Sequence, residues 1–241
     1  MSSGKPPPPR SWRRQLEERL AGLEDRGARL IGASVVIQAA LRDNGLNLVV
    51  VGGSALTIYR PDEYQSADID FVGGGRDAEI DAVFREVLGF RREGRHWYDE
   101  DLQIALERPG VTLEPLGAAP VDVDLDAGEV VRVISIEDLI LDRVAAWDAT
   151  GSYADFEQAV MLDGHPLTEQ TRLEERAHEL DLSEALSVLR WLGEEQRAGR
   201  MTDELPECSR AHEGYQIGGL EEAKRSVEEY RAYPAQEQEA L

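Results

Sequence analysis

Asp68 and Asp70 are separated by one residue in a segment, Ala67 to Val72, that alternates carboxylates with hydrophobic residues. Side chains at positions i and i+2 of a strand point to the same face of the sheet, so a strand here presents two carboxylates side by side. Adjacent carboxylates resist burial unless a cation neutralises them, and carboxylate oxygens are the ligands that Mg²⁺ prefers. The pair therefore predicts a metal site.

A glycine turn lies upstream of the two aspartates. The apolar run Leu48 to Val51 leads into Gly52-Gly53-Ser54, and a short helical pattern follows through Tyr59. Backbone N–H groups at the start of a helix favour an anion such as phosphate, because they point towards it and the helix dipole adds to the attraction. The stretch Leu46 to Gly73 thus predicts a strand, a glycine turn, a helix and a second strand, with a phosphate site beside a metal site.

A third carboxylate has two sources in the sequence. The pattern from Leu102 to Leu106 predicts a strand with its leucines on one face, which leaves Glu107 on the other face. Glu107 completes a cluster of three carboxylates if this strand neighbours the one that bears the aspartate pair, and is otherwise a surface glutamate. Asp122 and Asp124 share one face of a second acidic strand, Val121 to Leu125, and compete for the same role. An edge strand turned to water has the same pattern, so the alternatives stay open.

The chain as a whole predicts an α/β fold, with a mixed sheet flanked by helices and a helical C-terminal region. From Ser11 to about Asp43 the spacing of apolar residues predicts one or two amphipathic helices, with Gly27 and Gly32 as candidate breaks. The predicted division is a disordered lead at 1–10, an α/β domain at 11–163 and a helical region at 164–241.

The composition predicts a cytoplasmic protein. The single cysteine, Cys208, cannot form an internal disulfide. No run approaches the roughly 18 apolar residues of a membrane span, and the N-terminal sequence lacks the apolar core of a signal peptide. The four histidines stand at no metal-ligand spacing to one another, which argues against a zinc site. They are His96, His165, His178 and His212.

The net charge of the chain limits which classes of molecule it can bind. With 48 acidic and 26 basic residues, the formal net charge is −22. A field of this sign repels phosphate backbones over a Debye length of about 8 Å. Nucleic acid is therefore disfavoured as a substrate, although an acidic surface also serves solubility alone.

The glycine turn and the aspartate pair together resemble the signature of the nucleotidyltransferase superfamily, which includes DNA polymerase β, aminoglycoside nucleotidyltransferases and abortive-infection toxins. In this chain Val49 to Ser54 is followed by 13 residues and then by Asp68-Ile69-Asp70-Phe71. The segments VVGGSALTIY, YQSADIDFV, VRVISIEDLILDRVAAW and YADFEQAV are similar to those of small prokaryotic uncharacterised and toxin-like nucleotidyltransferases. The resemblance covers about Leu46 to Leu162.

The resemblance implies a nucleotidyltransferase-like fold and an enzyme that moves a nucleoside monophosphate from an NTP to a hydroxyl acceptor. Gly52, Gly53 and Ser54 would hold the triphosphate of the nucleotide. Asp68 and Asp70 would bind two Mg²⁺ ions, and Glu107 is the closest match to the third carboxylate, where aspartate is more usual. These residues are the candidate site.

Further implications of the resemblance concern the downstream helices and the partners. Arg143 stands where the family often has a lysine, and would contact the nucleotide. The basic residue that the family places before an aspartate is missing, because Ala154 precedes Asp155. A catalytically weak or inactive nucleotide-binding module of the same fold is therefore the alternative. An antitoxin protein is an implied partner, and the acidic field favours a protein or small-molecule acceptor over nucleic acid.

Overall fold

The computed structural model describes residues 11–115, 117–125, 128–201 and 204–232. The predicted disordered lead, residues 1–10, lies outside these ranges. Within them the chain forms a mixed seven-stranded sheet and α-helices, so the predicted α/β fold is confirmed. The chain divides into two compact units, which comprise Met1–Leu113 with Ala119–Ile134 and Glu114–Ala118 with Ser135–Leu241. The domain limits inferred from the sequence stay predictions.

The first unit contains the sheet. Its helices are α1 (Trp12–Leu20), α2 (Arg26–Asp43), α3 (Gly52–Tyr59) and α4 (Asp77–Ala82), and a π-helical turn, Val83–Val87, follows the last. Its strands are β1 (Val49–Val51), β2 (Ile69–Val72), β3 (Arg91–Glu93), β4 (His96–Asp99), β5 (Ile104–Glu107), β6 (Pro120–Asp124) and β7 (Val130–Ile134). The strand order is β3-β4-β5-β2-β1-β7-β6. Strand β1 runs parallel to β7 and β2 parallel to β5, and the other neighbours are antiparallel.

The helical segment that precedes β1 consists of two helices. Ser11 caps α1 and Asp25 caps α2 through their side-chain oxygens. Gly22, with a φ of +79°, lies in the turn between them. The suggested breaks at Gly27 and Gly32 are wrong, because both residues lie inside α2, where contacts with neighbouring segments outweigh their low helix propensity.

Alternation along the central strands separates an apolar face from a polar one. Phe71 of β2, Trp97 of β4 and Leu106 of β5 are buried. Phe84 of the π-helical turn packs edge-on against Trp97, with 5.0 Å between the ring centroids. Burying side chains of this size stabilises the fold by about 2 kcal/mol each. The residues between them therefore point to the opposite face of the sheet.

The second unit is helical among its described residues. Its helices are α5 (Ile136–Thr150), α6 (Tyr153–Asp163), α7 (Gln170–Glu179), α8 (Ser183–Arg197) and α9 (Glu204–Ala232). Helix α5 packs against α6, α7 and α8, and its Trp147 is fully buried. Helix α9 is kinked at Gly218 and Gly219, whose backbone angles are not helical. Across the described ranges, no helix combines the length and the apolar character that a membrane span requires.

Gln38 of α2 connects the helix to two strands. Its side chain is buried, and its Nε2 donates to the carbonyl oxygens of Leu48 at 3.1 Å and Arg132 at 2.7 Å. Its Oε1 accepts the Arg132 N–H at 2.8 Å. We expect Gln38→Leu to lower the free energy of unfolding by about 3 kcal/mol, because buried backbone groups lose their partners. Urea unfolding measures this change, and Gln65→Leu, which removes one exposed hydrogen bond to Oδ2 of Asp25, should cost less than about 1 kcal/mol. Equal costs would contradict the assignment.

Asp99, at the end of β4, gives the first unit a pH-dependent stability. Burial acts to raise the pKa of Asp99, but hydrogen bonds from Arg13 and from the Leu102 N–H, with the charge of Arg13, outweigh it and hold that pKa below its ordinary value. A carboxylate with a depressed pKa stabilises the fold above its unfolded pKa, and the contribution is lost as the pH falls through the folded pKa.

We therefore expect Asp99→Asn to be less stable than wild type at about pH 7, with a difference that shrinks as the pH falls below about 4. Urea unfolding over this range measures the difference. Asp101→Asn, at an exposed neighbouring position, is the control and should follow the wild-type curve. A difference between Asp99→Asn and wild type that does not depend on pH would contradict this account.

Candidate metal and nucleotide site

One row of polar side chains crosses three neighbouring strands on the face opposite the apolar core. His96 of β4 is paired in register with Glu107 of β5, and Glu107 is paired with Asp70 of β2. Residues that are directly paired on adjacent strands point to the same face of a sheet. His96, Glu107 and Asp70 therefore lie in a row, while their sequence neighbours Leu106 and Phe71 are buried on the other face.

Asp68 directly precedes β2 and joins this row. Ligand atoms of Asp68, His96 and Glu107 all lie within 4.8 Å of one another, and each of the three residues is partly buried. A cluster of three carboxylates requires the strand of Glu107 to neighbour the strand of the aspartate pair, and β5 is indeed the neighbour of β2. This pairing brings Glu107 close to Asp68. Two carboxylates and one imidazole converge at one point on the sheet.

Arg95 supplies a positive charge to this cluster. Its Nε lies 3.0 Å from Oε1 of Glu107 and donates to Nε2 of His96 at 3.3 Å. The Arg95 side chain is 74% exposed, whereas that of Glu107 is 13% exposed. The Glu107 side chain is thus mostly buried, and the arginine reaches its carboxylate from the solvent side.

The glycine turn approaches Asp70 closely. Gly52, the first residue of α3, has a φ of +60°, and a Cβ on it would lie 2.7 Å from Oδ2 of Asp70. Both the left-handed backbone and the lack of space require glycine here. Val51, at the N-cap of α3, provides no side-chain hydrogen bond to the helix start. The N-terminus of α3 and the Asp70 carboxylate are therefore immediate neighbours.

Ser54 fixes the geometry of this turn. Its side chain is fully buried, donates to the Val51 carbonyl oxygen at 2.8 Å and accepts the Asp70 N–H at 3.0 Å. These bonds tie the end of β1 to β2 and occupy the hydroxyl. Next to it, a Cβ on Gly53 would lie 2.9 Å from Oγ of Ser66, so the second glycine also permits a close approach.

The other candidates for a third carboxylate lie elsewhere on the sheet. Asp122 and Asp124 are exposed residues of β6, which β7 and β1 separate from β2. Three strand spacings correspond to about 14 Å. Asp122 forms an ion pair with Arg132 at 3.1 Å. Of the two sources that the sequence left open, Glu107 is the one beside the aspartate pair.

Arg143 lies on α5 in the second unit. Its Nη1 lies 3.1 Å from Oδ1 of Asp155, and its Nη2 lies 2.6 Å from Oδ2 of Asp142. Burial raises the pKa of the Asp142 carboxyl, and Arg143 opposes this effect. The Arg143 guanidinium therefore neutralises two carboxylates of its own unit, while its Nε is buried without a hydrogen-bond partner among the described residues.

Sequence reasoning missed His96 and Arg95. The histidines stand at no ligand spacing to one another, yet His96 meets a carboxylate on the next strand. The register of an antiparallel pair decides which residues face each other. The structure pairs Trp97 with Leu106, and this register places His96 opposite Glu107. The register of β4 against β5 was the missing information.

Comparisons with known proteins give structural similarities only. No protein-family model matches the sequence, and the curated proteins gave no match either. The chain is similar to an antigenic nucleotidyltransferase-like protein from Paracoccidioides brasiliensis, with 17% identity, a TM-score of 0.46, and coverage of 68% of this chain and 93% of that one. It is also similar to the antibiotic-resistance factor ANT(2'')-Ia, with 21% identity, a TM-score of 0.44, and coverage of 71% and 96%.

Proposed function

We propose that the protein is a metal-dependent nucleotidyltransferase that moves a nucleoside monophosphate from an NTP to a hydroxyl acceptor. The main support for this proposal is that ligand atoms of Asp68 and Glu107 lie within 4.8 Å of each other. They lie on the sheet face where the Asp70 carboxylate is adjacent to the glycine turn. Such a site combines donors for a cation with donors for phosphate, and nucleotidyl transfer requires both.

The glycine turn is the proposed phosphate-binding element. The backbone N–H groups of Gly52, Gly53 and Ser54 form the first turn of α3, where the helix dipole favours an anion. The hydroxyl of Ser54 is taken up by the fold, so the contribution of this residue is its backbone N–H. A side chain at Gly52 would fill the space between the turn and Asp70.

Asp68, Asp70 and Glu107 are the proposed metal ligands. Their fit to a divalent cation rests on the donor set, since carboxylates gathered on one face of a sheet suit Mg²⁺ and similar ions. When bound, two Mg²⁺ ions would lower the pKa of the acceptor hydroxyl and offset the charge of the phosphates. The protein keeps the carboxylates of Asp70 and Glu107 in register, and Ser54 fixes Asp70 through its backbone.

The remaining parts of the proposal concern Arg143 and the partners. A role of Arg143 in nucleotide binding, which the sequence resemblance implies, would require exchange of an ion pair with Asp142 or Asp155 for one with phosphate. The acceptor is a protein or a small molecule, because the net charge of −22 repels nucleic acid. The resemblance of the sequence to toxin-like nucleotidyltransferases supports a proposed role as the toxin of a toxin-antitoxin pair in the cytoplasm, with an antitoxin protein as partner.

One observation favours a second candidate, a catalytically weak or inactive nucleotide-binding module. Arg95 already neutralises Glu107, because its Nε lies 3.0 Å from Oε1 of that carboxylate. A site whose charges are satisfied in this way can bind a nucleotide without transferring it. Nucleotide binding in calorimetry without any transfer would favour this candidate.

Transfer activity tests the first candidate. We expect the wild-type protein to label an acceptor in a cell extract from one of the four NTPs labelled at the α-phosphate, in the presence of Mg²⁺ or Mn²⁺. Asp68→Asn and Glu107→Gln should each lower the rate on the order of 100-fold or more, because the metal ligands stabilise charge in the transition state.

Asp122→Asn and Asp124→Asn are the matched controls for this experiment, since these carboxylates lie on β6 at the far edge of the sheet. Both variants should transfer at the wild-type rate. Absence of transfer from wild type with all four NTPs, or an undiminished rate in Asp68→Asn, would refute the first candidate.

The close approach at Gly52 gives an independent prediction. Gly52→Ala should abolish transfer, because its Cβ would displace the Asp70 carboxylate. Gly45→Ala is the matched control, since Gly45 also has a positive φ, +75°, but a Cβ on it would meet no atom within 4 Å. It should keep its activity and lose only about 1 kcal/mol of stability through backbone strain. Equal activity of the two variants would contradict the proposed geometry.

A further inference from the structure

We propose that His96 is a direct metal ligand and that the site therefore selects a transition-metal dication such as Mn²⁺ over Mg²⁺. This inference rests on the proposed function, because it names the ion that the site would use. His96 is not part of the sequence pattern formed by the glycine turn and the aspartate pair.

The position of His96 is fixed by strand pairing. It faces Glu107 across β4 and β5, and its Nδ1 lies 3.5 Å from Oε2 of that residue. With Asp68, the three ligand atoms lie within 4.8 Å of one another, which is the spacing of donors that share one ion. The His96 side chain is 41% exposed, so an ion can reach it from solvent.

Arg95 shows where a cation is favourable in this cluster. Its Nε contacts both Oε1 of Glu107, at 3.0 Å, and Nε2 of His96, at 3.3 Å. A positively charged group thus already lies between a carboxylate oxygen and an imidazole nitrogen, and these two atoms are of the types that bind dications. Because the Arg95 side chain is 74% exposed, it can leave the cluster without disturbing the core.

The chemistry of the donors decides which ion the site prefers. Mg²⁺ takes oxygen ligands almost exclusively, whereas an imidazole nitrogen suits the first-row transition metals. Mn²⁺ accepts both carboxylate and imidazole ligands. A site with Asp68, Glu107 and His96 should therefore favour Mn²⁺ over Mg²⁺ more strongly than a site of carboxylates alone.

Titration of the nucleotide-free protein with Mg²⁺ and with Mn²⁺ tests this selectivity by calorimetry. We expect His96→Asp, which replaces the nitrogen donor with oxygen, to lower the ratio of Mn²⁺ to Mg²⁺ affinity by about tenfold or more, since even outer-shell partners of a metal change its affinity by about 10–100-fold. The electron spin-echo spectrum of bound Mn²⁺ should show modulation by an imidazole nitrogen in wild type and none in His96→Asp or His96→Asn.

Arg95→Gln is the matched control from the same hairpin. It removes the competing charge but no metal ligand, so it should tighten the binding of both ions by the same factor and keep the nitrogen modulation. The unfolding midpoints of the His96 variants should stay close to wild type, because the side chain is partly exposed and outside the apolar core.

Two results would overturn the proposal in distinguishable ways. In the first, Mn²⁺ bound to the wild-type protein shows no nitrogen modulation, or His96→Asp keeps the wild-type ratio of Mn²⁺ to Mg²⁺ affinity. If Asp68→Asn still abolishes metal binding in that case, His96 is not a ligand and the proposed function stands. If wild type binds neither ion, both the ligand assignment and the metal-dependent function fail.

Discussion

The carboxylates of Asp68 and Glu107 repel each other, and the site depends on how the protein tolerates that repulsion. Their ligand atoms lie within 4.8 Å, and at an effective dielectric constant of about 20 two unit charges at this separation repel by about 3.5 kcal/mol. Arg95 offsets part of this cost in the absence of a metal, because it contacts Glu107 from the solvent side. The cluster therefore favours any cation that can reach it, and a dication gains the most.

Strand pairing produces this crowding. The parallel pair β2 and β5 sets Asp70 opposite Glu107, and the hairpin of β4 and β5 adds His96. The apolar residues on the other face, such as Phe71 and Leu106, fix the register, because a shift of one residue would bury the carboxylates and expose the core. The stability of the core thus holds like charges together on the opposite face.

Local pattern was enough to predict the glycine turn, the strand that carries Asp70, and the α/β class, because a strand that is half buried shows its alternation in sequence. The strand begins at Ile69, so Asp68 lies directly before it rather than on it. The suggested helix breaks at Gly27 and Gly32 were wrong, since packing of α2 outweighs the propensity of single glycines. Glu107 was a candidate only, and His96 was not recognised, because both depend on which strands pair and in which register. That information is non-local and has no signature within one segment.

The central claim is that a metal ion and a nucleotide share one site at the glycine turn and the carboxylate cluster. Paramagnetic broadening of backbone amide resonances by Mn²⁺ tests it most directly, with and without a non-hydrolysable NTP. We predict that Mn²⁺ selectively broadens the resonances of Asp68, Asp70 and Glu107 together with those of the adjacent glycine turn. With diamagnetic Mg²⁺ in place of Mn²⁺, the NTP should shift the resonances of Gly52 and Gly53. Broadening centred on β6, or NTP shifts that spare the glycine turn, would contradict the account.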